Sequence, residues 1–169
     1  IPSGAALGAD VRGIDFSQPL SADDKTFIQQ AWRDHLVLRF KDQSLEDEDL
    51  IRMADDFGGS QVAGSRQYYL NAGYDAKSGR VSHLPSITLI SNLGKDGKPE
   101  KSNSGTGSNE LIWHTDNSYV EKPPKGSILY GIQVPINGGG DTSFVNQYET
   151  YDALSEPMKK RLLTLYIRH

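Results

Sequence analysis

The chain has 169 residues, enough for one domain with a core, with 36% hydrophobic and 24% charged residues. Its net charge of −4 gives no electrostatic footprint for nucleic acid or an anionic membrane, and no apolar run is long enough to span a bilayer. With no cysteine there is neither a disulfide nor a thiolate metal site, so any metal needs His, Asp or Glu, and there are four histidines. The absence of cysteine and of a signal-peptide pattern fits a cytoplasmic protein.

Residues 5–16 read as a short strand pair or strand-turn element punctuated by glycine. Ser21-Ala-Asp-Asp24 is a cap-like start that opens a helix to about Asp34, with Phe27, Ile28, Ala31 and Trp32 on one face. His35–Phe40 is a compact apolar strand. Ser44 is the expected cap of a second helix whose acidic first turn (Glu46, Asp47, Glu48, Asp49) suits the helix dipole. Leu50, Ile51, Ala54 and Phe57 form its inward stripe, and Gly58-Gly59 ends it. That acidic run is a solvated helix start rather than a cation site.

Residues 60–84 are polar and glycine-punctuated, with Tyr68, Tyr69 and Tyr74 among them, and read as a long loop, either functional or mobile. Ser86–Ser91 is a strand. Residues 92–109 are rich in Gly, Ser, Asn and Lys and read as a lid or entrance loop. Glu110–Thr115 is a strand, Pro123-Pro124 breaks the chain, and Ser127–Val134 is the longest strand. Gly138-Gly-Gly140 turns into a returning strand, Asp141–Val145. The last part is helical: Tyr148–Leu154, then a helix capped by Ser155 with Pro157 in its first turn and Met158, Leu162 and Leu165 facing inward. There is no internal repeat and no second-domain boundary. The order suits an α+β protein with a β-sandwich or barrel core such as a jelly roll.

The chain converges on Trp113-His114-Thr115-Asp116-Asn117-Ser118-Tyr119. In an extended segment His114 and Asp116 point to one face. An imidazole and a carboxylate meeting at a point are two-thirds of the 2-His-1-carboxylate triad of non-haem Fe(II). His-x-Asp alone is a weak signal, and a local hydrogen-bonded pair is its plain alternative. Trp113 and Tyr119 pack around such a pair; His35 and His83 are structural or exposed.

From Trp113 to Phe144 the sequence runs Trp-His-Thr-Asp-Asn-Ser-Tyr, Pro-Pro-Lys-Gly, a strand, then Gly-Gly-Gly-Asp-Thr-Ser-Phe. This resembles the taurine dioxygenase/TfdA family of Fe(II)- and 2-oxoglutarate-dependent dioxygenases. That family's pattern is His-x-Asp, a Thr or Ser about two dozen residues on, then a distal His and an Arg far downstream. Here 25 residues separate Asp116 from Thr142. Gly-Ala-Asp-Val-Arg-Gly-Ile-Asp15, the Ala31–Gln43 segment and Ala153-Leu-Ser155 also resemble the family, so the likeness covers nearly the whole chain.

The resemblance implies a double-stranded β-helix (jelly-roll, cupin-like) core with flanking helices. It makes His114 and Asp116 catalytic Fe(II) ligands, and Thr142 a hydrogen-bond partner of a 2-oxoglutarate carboxylate. The implied reaction uses O2 and 2-oxoglutarate to oxidise a small organic molecule, releasing succinate and CO2. Retention of Asp116 favours hydroxylation over halogenation. Arg66, Tyr68 and Tyr69 are candidates for the substrate entrance; Asn92 either faces the cavity or caps a turn. A homo-oligomer is compatible with the sequence.

The chain departs from the pattern in one respect. It ends 27 residues after Thr142, so neither His169 nor Arg168 matches the distal His or the Arg. It starts at Ile1 without Met. Residues 1–169 are therefore expected to be a single dioxygenase domain, partial at the C-terminus, inactive by itself. The competing readings are a non-catalytic cupin-like or β-sandwich binding module that keeps the fold, and a zinc hydrolase, for which no zinc spacing is present.

Overall fold

The computed structural model describes residues 1–62, 65–74, 81–91, 98, 113–118, 120–136, 138 and 140–166. In chain order the elements are β1 (Ala9–Val11), α1 (Ala22–His35), β2 (Leu38–Phe40), α2 (Asp47–Phe57), α3 (Ser65–Asn71), α4 (Gln147–Asp152) and α5 (Glu156–Leu162). The chain divides into two compact units, one of Ile1–Leu45 with Thr142–His169 and one of Glu46–Asp141. The architecture mixes helix and sheet. Among the described residues no helix is long and apolar enough to cross a membrane.

The first unit is built on a strand-helix-strand. β1 and β2 pair in parallel, Ala9 opposite Leu38 and Val11 opposite Phe40, so the link between them has to be a crossover, and α1 is that crossover. As its sequence predicts, α1 starts at Ser21, whose hydroxyl accepts from the Asp24 amide at 3.1 Å. It buries Ile28, while Phe27, expected on the same face, stays 56% exposed. Ala9, Val11 and Phe16 complete the core, and Phe16 meets Phe40 edge-on at 4.8 Å.

Two features outside the regular elements hold this unit. The Gln43 amide accepts from the Phe16 N–H at 3.0 Å and donates to the Ile14 and Lys41 carbonyls at 2.9 and 3.1 Å. It acts as a short rung between two backbone segments beyond the end of the ladder. At the end of α1, Leu36 has φ +64° and ψ −36°, and the Val37 N–H donates to the His35 carbonyl at 2.7 Å. This is a γ-turn of the strained, positive-φ kind. The Trp32 indole N–H fixes it by donating to the Leu36 carbonyl at 3.0 Å.

The sequence places the final helices correctly but not their faces. α4 is capped by Asn146, which accepts from the Tyr148 and Glu149 amides, and its Nδ2 donates to the Ala6 carbonyl at 2.8 Å. Met158, Leu162 and Leu165, expected inward, are exposed.

In the second unit, Glu46 rather than Ser44 precedes α2. Its backbone is extended and its N–H donates to the Asp49 carboxylate at 2.9 Å, so the acidic first turn caps its own helix. Gly58, at φ +144°, ends α2 where a Cβ would be strained. The stretch 60–84, expected as a loop, contains α3. The Gln67–Asn71 side-chain bond joins positions four apart on its surface, as a helix favours, and Tyr69 meets Tyr68 and, beyond the helix end, Tyr74 edge-to-face.

The strand expected at 86–91 reduces to one bridge, Val81 with Thr88. Residues 113–115, 127–134 and 141–145 carry no ladder, and the double-stranded β-helix is not seen among the described residues. Their apolar side chains are largely exposed, Ile132 at 79% and Val134 at 69%, so cross-strand contacts that would define a sheet are not seen among these described residues. The lid region 92–109, apart from Lys98, lies outside the described residues, as do residues 110–112, Tyr119 and the middle glycine of the Gly138–Gly140 turn. At Gly140, φ +70°, a Cβ would press on Pro135 at 3.3 Å, so that end of the turn requires glycine.

Candidate functional site

His114 and Asp116 stand on a short irregular run, 113–115, that passes into a turn at 116–118. The His114 Nε2 and the Asp116 Oδ1 are 3.3 Å apart, and the two side chains are 58% and 69% exposed. The two side chains meet, but the segment is irregular and Asp116 stands in a turn, so strand alternation is not what brings them together, and the contact is also that of the local pair. Asn117, directly after Asp116, takes φ +52°, and the Val120 N–H donates to its carbonyl at 3.3 Å.

The donor set can be tested against a divalent ion. Nitrogen and oxygen ligands about 2.1 Å from one ion and at right angles stand about 3.0 Å apart. The observed 3.3 Å is close to that bite. A neutral imidazole with a carboxylate suits first-row metals. The pair therefore fits two adjacent positions on such an ion. No cluster of three or more potential ligands occurs among the described residues, so the set here is a half-site.

The other predicted residues are placed as follows. Thr142 is exposed and belongs to the first unit, whereas His114 and Asp116 belong to the second. Arg66 donates from Nη1 to the Ser82 carbonyl at 2.6 Å. Ser82 is buried; its hydroxyl bonds Asp47 Oδ2 at 3.2 Å and accepts from the Leu84 N–H at 3.0 Å. Arg66 thus ties α3 to the 81–84 segment, which Ser82 ties to the first turn of α2. Tyr68 on α3 is exposed and Tyr69 half-buried. Asn92 lies outside the described residues. A concavity of about 250 Å³ lined by Ile1, Val11, Phe27, Ala31 and His35 in the first unit includes none of the predicted site residues.

Electrostatic perturbation occurs away from this pair. The Arg39 guanidinium, bonded twice to Asp10 at 2.7 and 3.0 Å, holds that carboxyl below the usual carboxylate range, with Lys41 and Arg12 adding to it. The Glu46 N–H, then Arg52, does the same for Asp49. Sequence reasoning missed two residues that shape the second unit: buried Ser82, for which composition gives no signal, and left-handed Asn117. The latter has one, since Asn is the ordinary side chain that best tolerates positive φ.

Compared with known proteins, the whole of residues 1–169 matches the model of the family described as taurine catabolism dioxygenase TauD, TfdA family. The chain belongs to the TauD/TfdA family. Among its TauD/TfdA relatives, pentalenolactone F synthase of Streptomyces avermitilis is 33% identical over 170 residues, which cover 98% of this chain and 50% of the relative. The alpha-ketoglutarate-dependent 2,4-dichlorophenoxyacetate dioxygenase of Cupriavidus pinatubonensis is 29% identical, over 96% of this chain and 55% of the relative. A crystal structure of AAD-2 in complex with Mn(II) and N-oxalylglycine shares 29% identity over 68% of this chain and 38% of that one, with a TM-score of 0.48. This TauD/TfdA chain spans about half the length of the curated relatives it matches.

Proposed function

We propose that residues 1–169 form the N-terminal portion of a single Fe(II)- and 2-oxoglutarate-dependent dioxygenase domain with a double-stranded β-helix core. The observation that carries the reading is the convergence of His114 Nε2 and Asp116 Oδ1 to 3.3 Å in a chain that belongs to this family. In this reading His114 offers an imidazole nitrogen and Asp116 a carboxylate oxygen to one Fe(II), both unprotonated. The remaining ligand, a histidine, and the arginine that pairs with 2-oxoglutarate come from outside these residues. Thr142 donates its hydroxyl to a 2-oxoglutarate carboxylate; its support is the 25-residue spacing from Asp116 and the Gly-rich turn before it.

When bound, the iron supplies the redox chemistry that couples conversion of 2-oxoglutarate and O2 into succinate and CO2 to oxidation, most simply hydroxylation, of a small organic substrate. The chain's own part is to hold two ligands on one exposed side and to present aromatic and polar groups to the substrate. Tyr68 and Tyr69 on α3 are proposed to contact it, with Asn92 and Arg66; the bond from Arg66 to Ser82 fixes the helix that carries the tyrosines. The relatives' names include aryloxy acids and a sulfate ester. An anionic organic substrate is the first class to assay.

The test is succinate release by the whole protein with Fe(II), O2 and 2-oxoglutarate over a panel of aryloxy acids and sulfate esters. Asp116→Ala abolishes turnover and weakens Fe(II) binding. Activity unchanged by that substitution would refute the ligand role. No succinate from the wild type, together with no absorption band on anaerobic addition of 2-oxoglutarate, would remove the dioxygenase reading.

A further inference from the structure

Three non-glycine residues among those described have positive φ: Leu36, Asp42 and Asn117. Asn117 is the one that touches the candidate site along the chain, since it follows Asp116 directly. An extended chain puts residues 114, 116 and 118 on the same face. A left-handed residue at 117 breaks that alternation, and residues 116–118 form a turn instead. The Val120 N–H closes onto the Asn117 carbonyl at 3.3 Å. Asp116 is thus the first residue of that turn, two positions after His114.

We propose that Asn117 is a positioning residue for the His114/Asp116 half-site. Its left-handed backbone shapes the 116–118 turn that carries Asp116 and holds the carboxylate within reach of an ion that His114 also binds. The inference rests on the reading of that pair as metal ligands. Asn117 itself does not contact the ion. Asn and Gly adopt this conformation at little cost, whereas a β-branched residue resists it. A residue that resists it lowers the fraction of molecules with a competent site, and apparent affinity falls by that fraction.

The experiment compares wild type, Asn117→Gly, Asn117→Val and Asp116→Ala in the whole protein. Mn(II) affinity is followed by the EPR signal of free Mn(II), and ligand geometry by the visible bands of the Co(II) form. Asn117→Gly should keep the wild-type affinity and bands. Asn117→Val should weaken Mn(II) binding about five- to thirtyfold and alter the Co(II) bands. Asp116→Ala should weaken binding more than either. If Asp116→Ala changes nothing, the ligand reading fails and this inference falls with it. If Asp116→Ala weakens binding but Asn117→Val leaves affinity and bands as they were, the positioning role is overturned and the ligand reading stands. Equal losses in the Gly and Val variants overturn it too, because the side chain rather than the backbone would then be acting. Should the Val variant fail to fold by circular dichroism, Asn117→Ala carries the test, with a loss between those of Gly and Val expected and no loss overturning the proposal.

Discussion

Replacing Gln43 by alanine removes a side chain that does the work of a third strand. In the wild type its amide satisfies the Phe16 N–H at 3.0 Å and the Ile14 carbonyl at 2.9 Å, across 27 and 29 residues of chain. The Lys41 carbonyl, exposed, finds water in the variant; the other two groups are partly buried beside Phe16, itself 3% exposed. Each lost bond is worth about 1 kcal/mol net, and stranding a buried partner costs up to about 3 kcal/mol. Partial burial puts the sum near 2 kcal/mol. With a urea slope of about 2 kcal/mol per molar, the unfolding midpoint drops by about 1 M. A local probe separates this from a general loss: the Phe16 amide should exchange with solvent about thirtyfold faster. Gln43→Glu is the companion variant. It keeps an acceptor for Phe16 but faces the Ile14 carbonyl with a carboxylate, so it should destabilise no less than alanine. A midpoint within about 0.2 M of wild type (about a fifth of the expected shift), together with unchanged Phe16 exchange, would refute the reasoning.

The remaining predictions concern Asp10 and Leu36. Because the Arg39 bonds lower the folded pKa of Asp10, folding favours its ionised form. That contribution is fully present above the usual carboxylate range and is lost as pH falls through the lowered folded value. The stability gap between wild type and Asp10→Asn should therefore shrink towards acid pH in urea titrations, and a gap independent of pH would contradict the pairing. At Leu36, φ +64°, glycine relieves strain that alanine keeps, while both delete the same half-buried side chain. Leu36→Gly should be more stable than Leu36→Ala by about 1 kcal/mol, the reverse of the order inside a helix. Alanine equal or better would show that the turn is unstrained.

What the sequence shows well is what neighbours in the chain decide. The Ser21 cap, the acidic start of α2 and the Pro157 entry to α5 each depend on residues within a turn of one another, and each is where it was expected. The β-like stretches at 127–134 and 141–145 are different. Alternating or apolar composition marks a segment that fits a sheet, but the sheet exists only if a distant segment pairs with it, and sequence position does not name that partner. α3 was hidden for another reason: Gly64 and Gly73 frame a segment of only seven helical residues, too short for a periodic apolar pattern to register. Of the candidate site, the closeness of His114 and Asp116 in the chain was legible, but not the turn at 116–118 that brings their side chains together. Its left-handed Asn117 was hidden because Asn is also common in loops that never take that conformation.

The bond from Asn146 to the Ala6 carbonyl joins residues 140 positions apart within one unit. Synthesis proceeds from the N-terminus, so β1, α1 and β2 are made while α4 does not yet exist. The strand-helix-strand needs contacts spanning only about 29 residues, all within the first 45 made. The rest of its unit must await translation of the intervening unit, and then pay a loop-closure entropy set by that unit's length unless the insertion has already folded and shortened the gap. Folding of the first unit is thus timed by the second, and slowing translation after residue 141 should favour it.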